Sequence, residues 1–136
     1  MRVLKRKKKF RRYLIKHLMK EPMKKIKITE DRISLEYDGR KIKNKIITKQ
    51  HERCVGSWSS TTDEIFVDND LHGKDRDAVA VHETIEKYVS QSYGLPEDLE
   101  AHKIATAKER EFFEKKGGNW RSHQIKVGYV WKRENE

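Results

Sequence analysis

Residues 75–93 read DRDAVAVHETIEKYVSQSY, a charged stretch with an apolar stripe at helical spacing. Ala78, Val81, Ile85, Tyr88 and Val89 recur at the three- and four-residue spacing of one helical face. At about 100° per residue, His82 and Glu86 fall on the rim of that stripe, one turn apart. A histidine and a carboxylate so placed can share a metal ion, and both side chains are proper zinc ligands. The rim suits such a site, because ligands there face inward beside the packed core. The plain alternative is that His82 is a satisfied, partly buried histidine while Glu83 and Glu86 solvate a charged helix.

Working outward, Gly94 closes this helix and Pro96 opens another near its first turn. The second helix runs to about Lys116 and stops at Gly117-Gly118. Its inward face collects His102, Ala105, Glu109, Phe112 and Phe113. A tight Gly-Leu-Pro turn makes the two helices antiparallel and brings His82 and Glu86 opposite His102 or Glu109. Upstream, residues 25–28, 33–37 and 41–48 alternate apolar and polar side chains, with Asp38-Gly39 as a turn, which predicts a hairpin or small meander. Residues 56–62, rich in Gly, Ser and Thr, form a loop or strand crossing, and EIFVD at 64–68 is a short strand. In the tail, Ile125, Val127, Tyr129 and Trp131 alternate, so residues 124–132 are predicted as a final strand. The expected fold is α+β: a small antiparallel sheet packed on two long antiparallel helices, with an N-terminal basic helix.

A chain of 136 residues supports one compact domain with a modest core plus an arm. Cys54 is the one cysteine, so no intrachain disulfide forms and a reducing cytoplasm is the expected setting. His51 and Cys54 make a metal pair by type, but with no second pair Cys54 reads most simply as a small buried residue. No apolar run approaches the ~18 to 20 residues of a membrane span. Three Gln and four Asn among many Lys and Glu match the composition of proteins from hot environments.

The net charge of +10 is uneven. Residues 1–27 hold thirteen Lys or Arg and one acid, giving +12, and the remainder holds nineteen against twenty-one, giving −2. Residues 1–24 therefore read as a basic arm, helical over roughly 5–20, and residues 25–136 as the domain. Pro22 ends the arm helix. Arg6, Lys7, Lys8, Lys9, Arg11 and Arg12 form its densest cluster, and Phe10, Leu14 and Leu18 recur every four residues. Lys and Arg in clusters suit phosphates, with few groups fit to read base edges. Nucleic acid is the expected partner; an anionic membrane surface, which the apolar stripe would also suit, is the competing one. A third reading docks the stripe on the domain and leaves the charges solvated.

His82-Glu83-Thr84-Ile85-Glu86 is an HExxE segment, one ligand away from the HExxH of zinc peptidases. Over residues 54–116 the chain resembles the zincin metallopeptidases in their gluzincin-type layout, in which an edge strand, a loop, the motif helix and a ligand-donating helix follow in order. The resemblance implies one zinc ion held by His82, Glu86 and His102, with Glu83 as the general base and a peptide or protein as substrate. It departs from the family at Glu86, where a histidine is usual, and at His102, where a glutamate-containing motif is usual. Glu109 reads as an outer partner of the site. The function expected is a zinc-binding, metallopeptidase-like protein. The alternative is a non-catalytic nucleic-acid-binding protein whose metal only staples the helices, and DNA-associated proteases of zincin type combine both features.

Overall fold

The structure, a computed structural model, describes residues 2–50 and 54–134. Among the described residues five strands form one sheet: β1 (Lys24–Ile28), β2 (Arg32–Tyr37), β3 (Arg40–Lys49), β4 (Gly56–Trp58) and β5 (Glu64–Asp68). The same residues form α-helices α1 (Arg2–Lys20), α2 (Gly73–Tyr93), α3 (His102–Lys115) and α4 (Trp120–Glu134). A π-helical turn, Glu97–Ala101, leads into α3. The protein is α+β, as its periodicities predict.

The meander is set by a two-residue turn. Asp38 and Gly39 take φ of 54° and 70°, the left-handed pair that joins right-twisted strands, and Tyr37 pairs with Arg40 across it. Strand order is β1-β2-β3-β5-β4. The sheet differs from the expected antiparallel one in a single pairing: β3 and β5 run parallel, Ile46 beside Ile65. The chain between them crosses over and returns as β4, antiparallel to β5 on its far side. That crossover makes β4 an edge strand and lays it above α2.

Ile33, Leu35, Tyr37, Ile46, Ile65 and Val67 point to the inner face and are buried against the helices. Helix α2 lies between this face and α3, so every residue from Ala78 to Lys87 is buried, polar ones included. Gly94 caps the helix, its N–H donating to Ser90 O at 2.9 Å. Pairs between α2 and α3 run in opposite order, His82 with Glu109 and Glu86 with His102, so these helices are antiparallel.

The predicted strand at 124–132 is instead helix α4. Two interleaved i, i+4 pairs mimic alternation there. Val127 is half-buried and, with Trp131, lines a cleft over α2 and α3, while Ile125 and Tyr129 are 64% and 68% exposed on another face.

Helix α1 is fastened to the domain at its C-terminal end. Leu18 is fully buried, contributing about 1.5–3 kcal/mol. Tyr37 Oη donates to Leu18 O and Lys108 Nζ to Glu21 O, partnering carbonyls that the helix end would leave open. Arg11 pairs with Glu100 at 2.6 Å. Of the predicted stripe, Leu18 and the half-buried Leu14 dock, whereas Phe10 is 68% exposed. Lys9 and Arg12 are exposed; the side chains of Arg6, Lys7 and Lys8, and residue His51, lie outside the described set. Among the described residues no helix is long and apolar enough to cross a membrane.

Candidate metal centre

His82, Glu83 and Glu86 stand on the middle turns of α2, where sheet and α3 enclose them. Their exposures are 7%, 6% and 5%. The predicted rim position is thus deeper than the helical stripe implied. His102 opens α3 just after the π-helical turn, and its side chain is 59% exposed. It is therefore at the mouth of the site, not on the inward face where Ala105, Glu109 and Phe112 are buried.

The three predicted ligands converge. His82 Nε2 lies 3.0 Å from Glu86 Oε2, and His102 Nδ1 lies 3.3 Å from the same oxygen. One donor atom from each residue falls within a 4.8 Å cluster. Tetrahedral zinc with bonds of about 2.0–2.1 Å has donor–donor edges of about 3.3–3.4 Å. Two edges already approach that value, and an exposed imidazole is free to close the third. The group can hold a metal ion.

Supporting contacts fix the donors. Trp58 Nε1, on β4, donates to Glu86 Oε1 at 3.0 Å and leaves Oε2 toward the histidines. His82 Nδ1 donates to Glu109 Oε1 at 2.8 Å, which directs Nε2 into the cluster. Glu109 thus meets His82 on the side of the ring away from the three grouped donors. Burial disfavours a charged ring at His82, but hydrogen bonds to Glu109 and Glu86 outweigh it and carry its pKa up to about 10. A protonated His82 ring therefore bridges the two carboxylates, and a cation bound there would displace that proton.

Glu83 faces the same cleft but is held differently. Its Oε2 is buried without a hydrogen-bond partner among the described residues. Burial, with the charges of Glu86, Glu109 and Glu97 adding to it and His82 opposing, pushes its carboxyl up to about 8. Backbone from β4 covers it: a Cβ at Gly56 would sit 2.9 Å from both Glu83 Oε1 and Val79 Cγ1. Glycine is what allows the edge strand to approach this closely.

A cleft of 480 Å3 opens over these groups, with Val55 and Gly56 on one side and Val127, Gly128 and Trp131 of α4 on the other. Half-buried Cys54 lies at its rim. Sequence reasoning missed His123, which lines the cleft and is 1% exposed. Its partners Asp75 and Glu109 are remote in the chain, and the strand reading of the tail gave it no helical neighbours. The chain matches no family model, and neither a curated protein nor a solved structure matches it significantly.

Proposed function

We propose that this protein is a zinc-dependent hydrolase of metallopeptidase type, with His82, Glu86 and His102 as ligands and Glu83 as general base. The observation that carries the reading is Glu83 itself: a buried carboxylate with an unpartnered oxygen, beside three convergent donors, in an open cleft. Such a group costs stability, and structural carboxylates are hydrogen-bonded. The donor chemistry fits zinc: two imidazoles and one carboxylate make up a known catalytic set. Glutamate at position 86 and histidine at position 102 each depart from the gluzincin order, yet together they restore its composition. Bound zinc supplies Lewis acidity, polarising a carbonyl and easing the ionisation of a water.

The protein's own groups then divide the work. Trp58 and Glu109 orient Glu86 and His82. Glu83 Oε2 would accept a proton from the attacking water and return it to the departing amine, its burial and neighbouring carboxylates raising its basicity above that of an exposed glutamate. Val55, Val127 and Trp131 give the cleft an apolar wall beside these groups. The test is Glu83→Gln, which keeps shape and removes basicity. Metal content equal to wild type, with hydrolysis of a quenched-fluorescence peptide library lost, supports the assignment. Unchanged hydrolysis would move the base elsewhere, and loss of metal would make Glu83 a ligand.

A second reading, nucleic-acid binding, is favoured by a charge pattern beyond the arm. Lys24, Lys27, Arg32, Lys41, Lys43 and Lys45 are exposed, and their register, Lys27 with Ser34 and Lys43, Lys24 with Glu36 and Lys41, Arg32 with Lys45, puts them on the open face of the sheet. Glu36 and Glu64 sit beside them in that register. Phosphate contacts from this face and from Lys9 and Arg12 would hold a duplex without reading its sequence. With about six phosphates neutralised, log affinity falls with log salt at a slope near −5. Lys43→Glu with Lys45→Glu in the full chain should flatten that slope; binding unaffected by them would confine any contact to the arm.

A further inference from the structure

Glu109 is engaged at both oxygens. Oε1 accepts from His82 Nδ1 at 2.8 Å, and Oε2 accepts from His123 Nε2 at 2.5 Å. His123 Nδ1 then lies 2.8 Å from Asp75 Oδ1, and Lys126 Nζ donates to Asp75 Oδ2 at 3.1 Å. An ionised carboxylate only accepts, so both His123 nitrogens carry protons and the ring is an imidazolium. Along this chain the charges alternate: Glu109 negative, His123 positive, Asp75 negative, Lys126 positive. The ring faces are covered by Phe113, stacked with centroids 4.4 Å apart, and by Trp120 at 5.2 Å.

This arrangement is costly as packing alone. His123 is 1% exposed and Asp75 and Glu109 8% each, and an apolar filler of the same volume is usually at least as stable as a buried ion pair. What the chain achieves is orientation. A carboxylate bonded through one oxygen can swing about its side-chain torsions; one bonded through both keeps a single pose. With Glu109 so held, the plane of the His82 ring is fixed and Nε2 points toward Glu86 and His102. His123 comes from α4, Asp75 from the first turn of α2 and Glu109 from α3, so three helices must meet before the cluster is set.

We propose that His123, braced by Asp75, is a positioning residue for the metal centre, acting through Glu109 on His82 and making α4 part of the site. The proposal rests on the metal-binding reading. A competing role for the same bonds is to tie α4 to the domain and nothing more, and the two roles separate by experiment.

Zinc affinity is measured by competition with a chromophoric chelator, and the visible bands of the Co2+-substituted protein are recorded, for full-length wild type, His123→Phe and His123→Gln. Phenylalanine keeps the stack on Phe113 and offers no donor; glutamine keeps an N–H near the place of Nε2. Chelator-treated samples are unfolded thermally to show that each variant folds. The expected result is a 10- to 100-fold loss of zinc affinity, to about the extent outer partners cause, with shifted Co2+ bands in His123→Phe and recovery to within about threefold of wild type in His123→Gln. If His123→Phe does not fold, His123→Asn, too short to reach Glu109, replaces it with the same expected loss. Wild-type affinity in the variant lacking a donor overturns the proposal, as does an equal loss in His123→Gln, which would place the effect in ring packing. A wild-type chain that takes up neither ion removes the metal centre and this proposal together; a wild-type chain that binds, beside an equally tight His123→Phe, removes this proposal alone.

Discussion

Replacing Glu83 by glutamine should stabilise the metal-free protein, and only at high pH. In the folded chain the carboxyl is raised by burial from 4.5 to about 8. A folded value above the unfolded one means the folded state holds its proton longer, so the stability cost is nearly absent below 4.5, grows through the window and is complete above 8. At 1.36 kcal/mol per pH unit, that cost approaches about 5 kcal/mol at pH 8.5 and is about 1 kcal/mol at pH 5. The amide removes the charge but leaves a buried polar group short of partners, at about 1–3 kcal/mol. The variant should therefore be more stable than wild type by about 2–4 kcal/mol at pH 8.5, and between equal to and about 2 kcal/mol less stable than wild type at pH 5. The amide penalty cancels in the difference between the two pH values, which should be about 4 kcal/mol. Denaturant unfolding in chelator, for both proteins at both pH values, reads it directly. A Glu83→Gln effect that is the same at pH 5 and pH 8.5 would refute the buried, unpartnered carboxylate on which the base assignment stands.

Alanine at His82 or Glu86 should lower zinc affinity in a competition titration by more than the roughly 100-fold that loss of an outer partner causes, and a smaller loss would demote that residue from ligand. His102→Ala removes a side chain 59% exposed and should weaken binding while leaving chelator-treated stability unchanged; a large fall in that stability would make His102 structural. Gly56→Ala puts a methyl 2.9 Å from Glu83 Oε1 and Val79 Cγ1 and should cost about 1–3 kcal/mol in denaturant unfolding. A neutral Gly56→Ala would show that β4 does not press on the helix. Leu18→Ala should cost about 2–5 kcal/mol, because the side chain is fully buried; an unchanged midpoint would leave α1 undocked.

Much of this architecture is legible in the chain because local signals and tertiary packing agree. The stripe from Ala78 to Val89 specifies α2, the alternation through Ile33, Leu35 and Tyr37 specifies β2, and Asp38-Gly39 specifies the turn beside it. The i, i+4 spacing of His82 and Glu86 and the proximity of His102 follow from α2 and an antiparallel α3. Other features depend on pairing that no local pattern records. The parallel register of β3 with β5 is made by a crossover, and β4 is three residues long, too short to show a period. Helix α4 was hidden by its two i, i+4 pairs, Val127 with Trp131 and Ile125 with Tyr129, which together look like strand alternation. His123 went with it. The depth of Glu83 was equally hidden, since a carboxylate on a charged helix looks solvated until an edge strand is laid over it.

His82, Glu86 and His102 are proposed to hold one zinc ion. Protein purified without added metal, crystallised and measured above and below the zinc absorption edge, tests it most directly. The account predicts a single anomalous peak about 2.0–2.2 Å from His82 Nε2, Glu86 Oε2 and a His102 ring nitrogen, with Glu83 close by but not bonded. A structure with no anomalous peak, with His82 Nε2 still on Glu86 Oε2 as at 3.0 Å here, or with the peak on other residues, would contradict it.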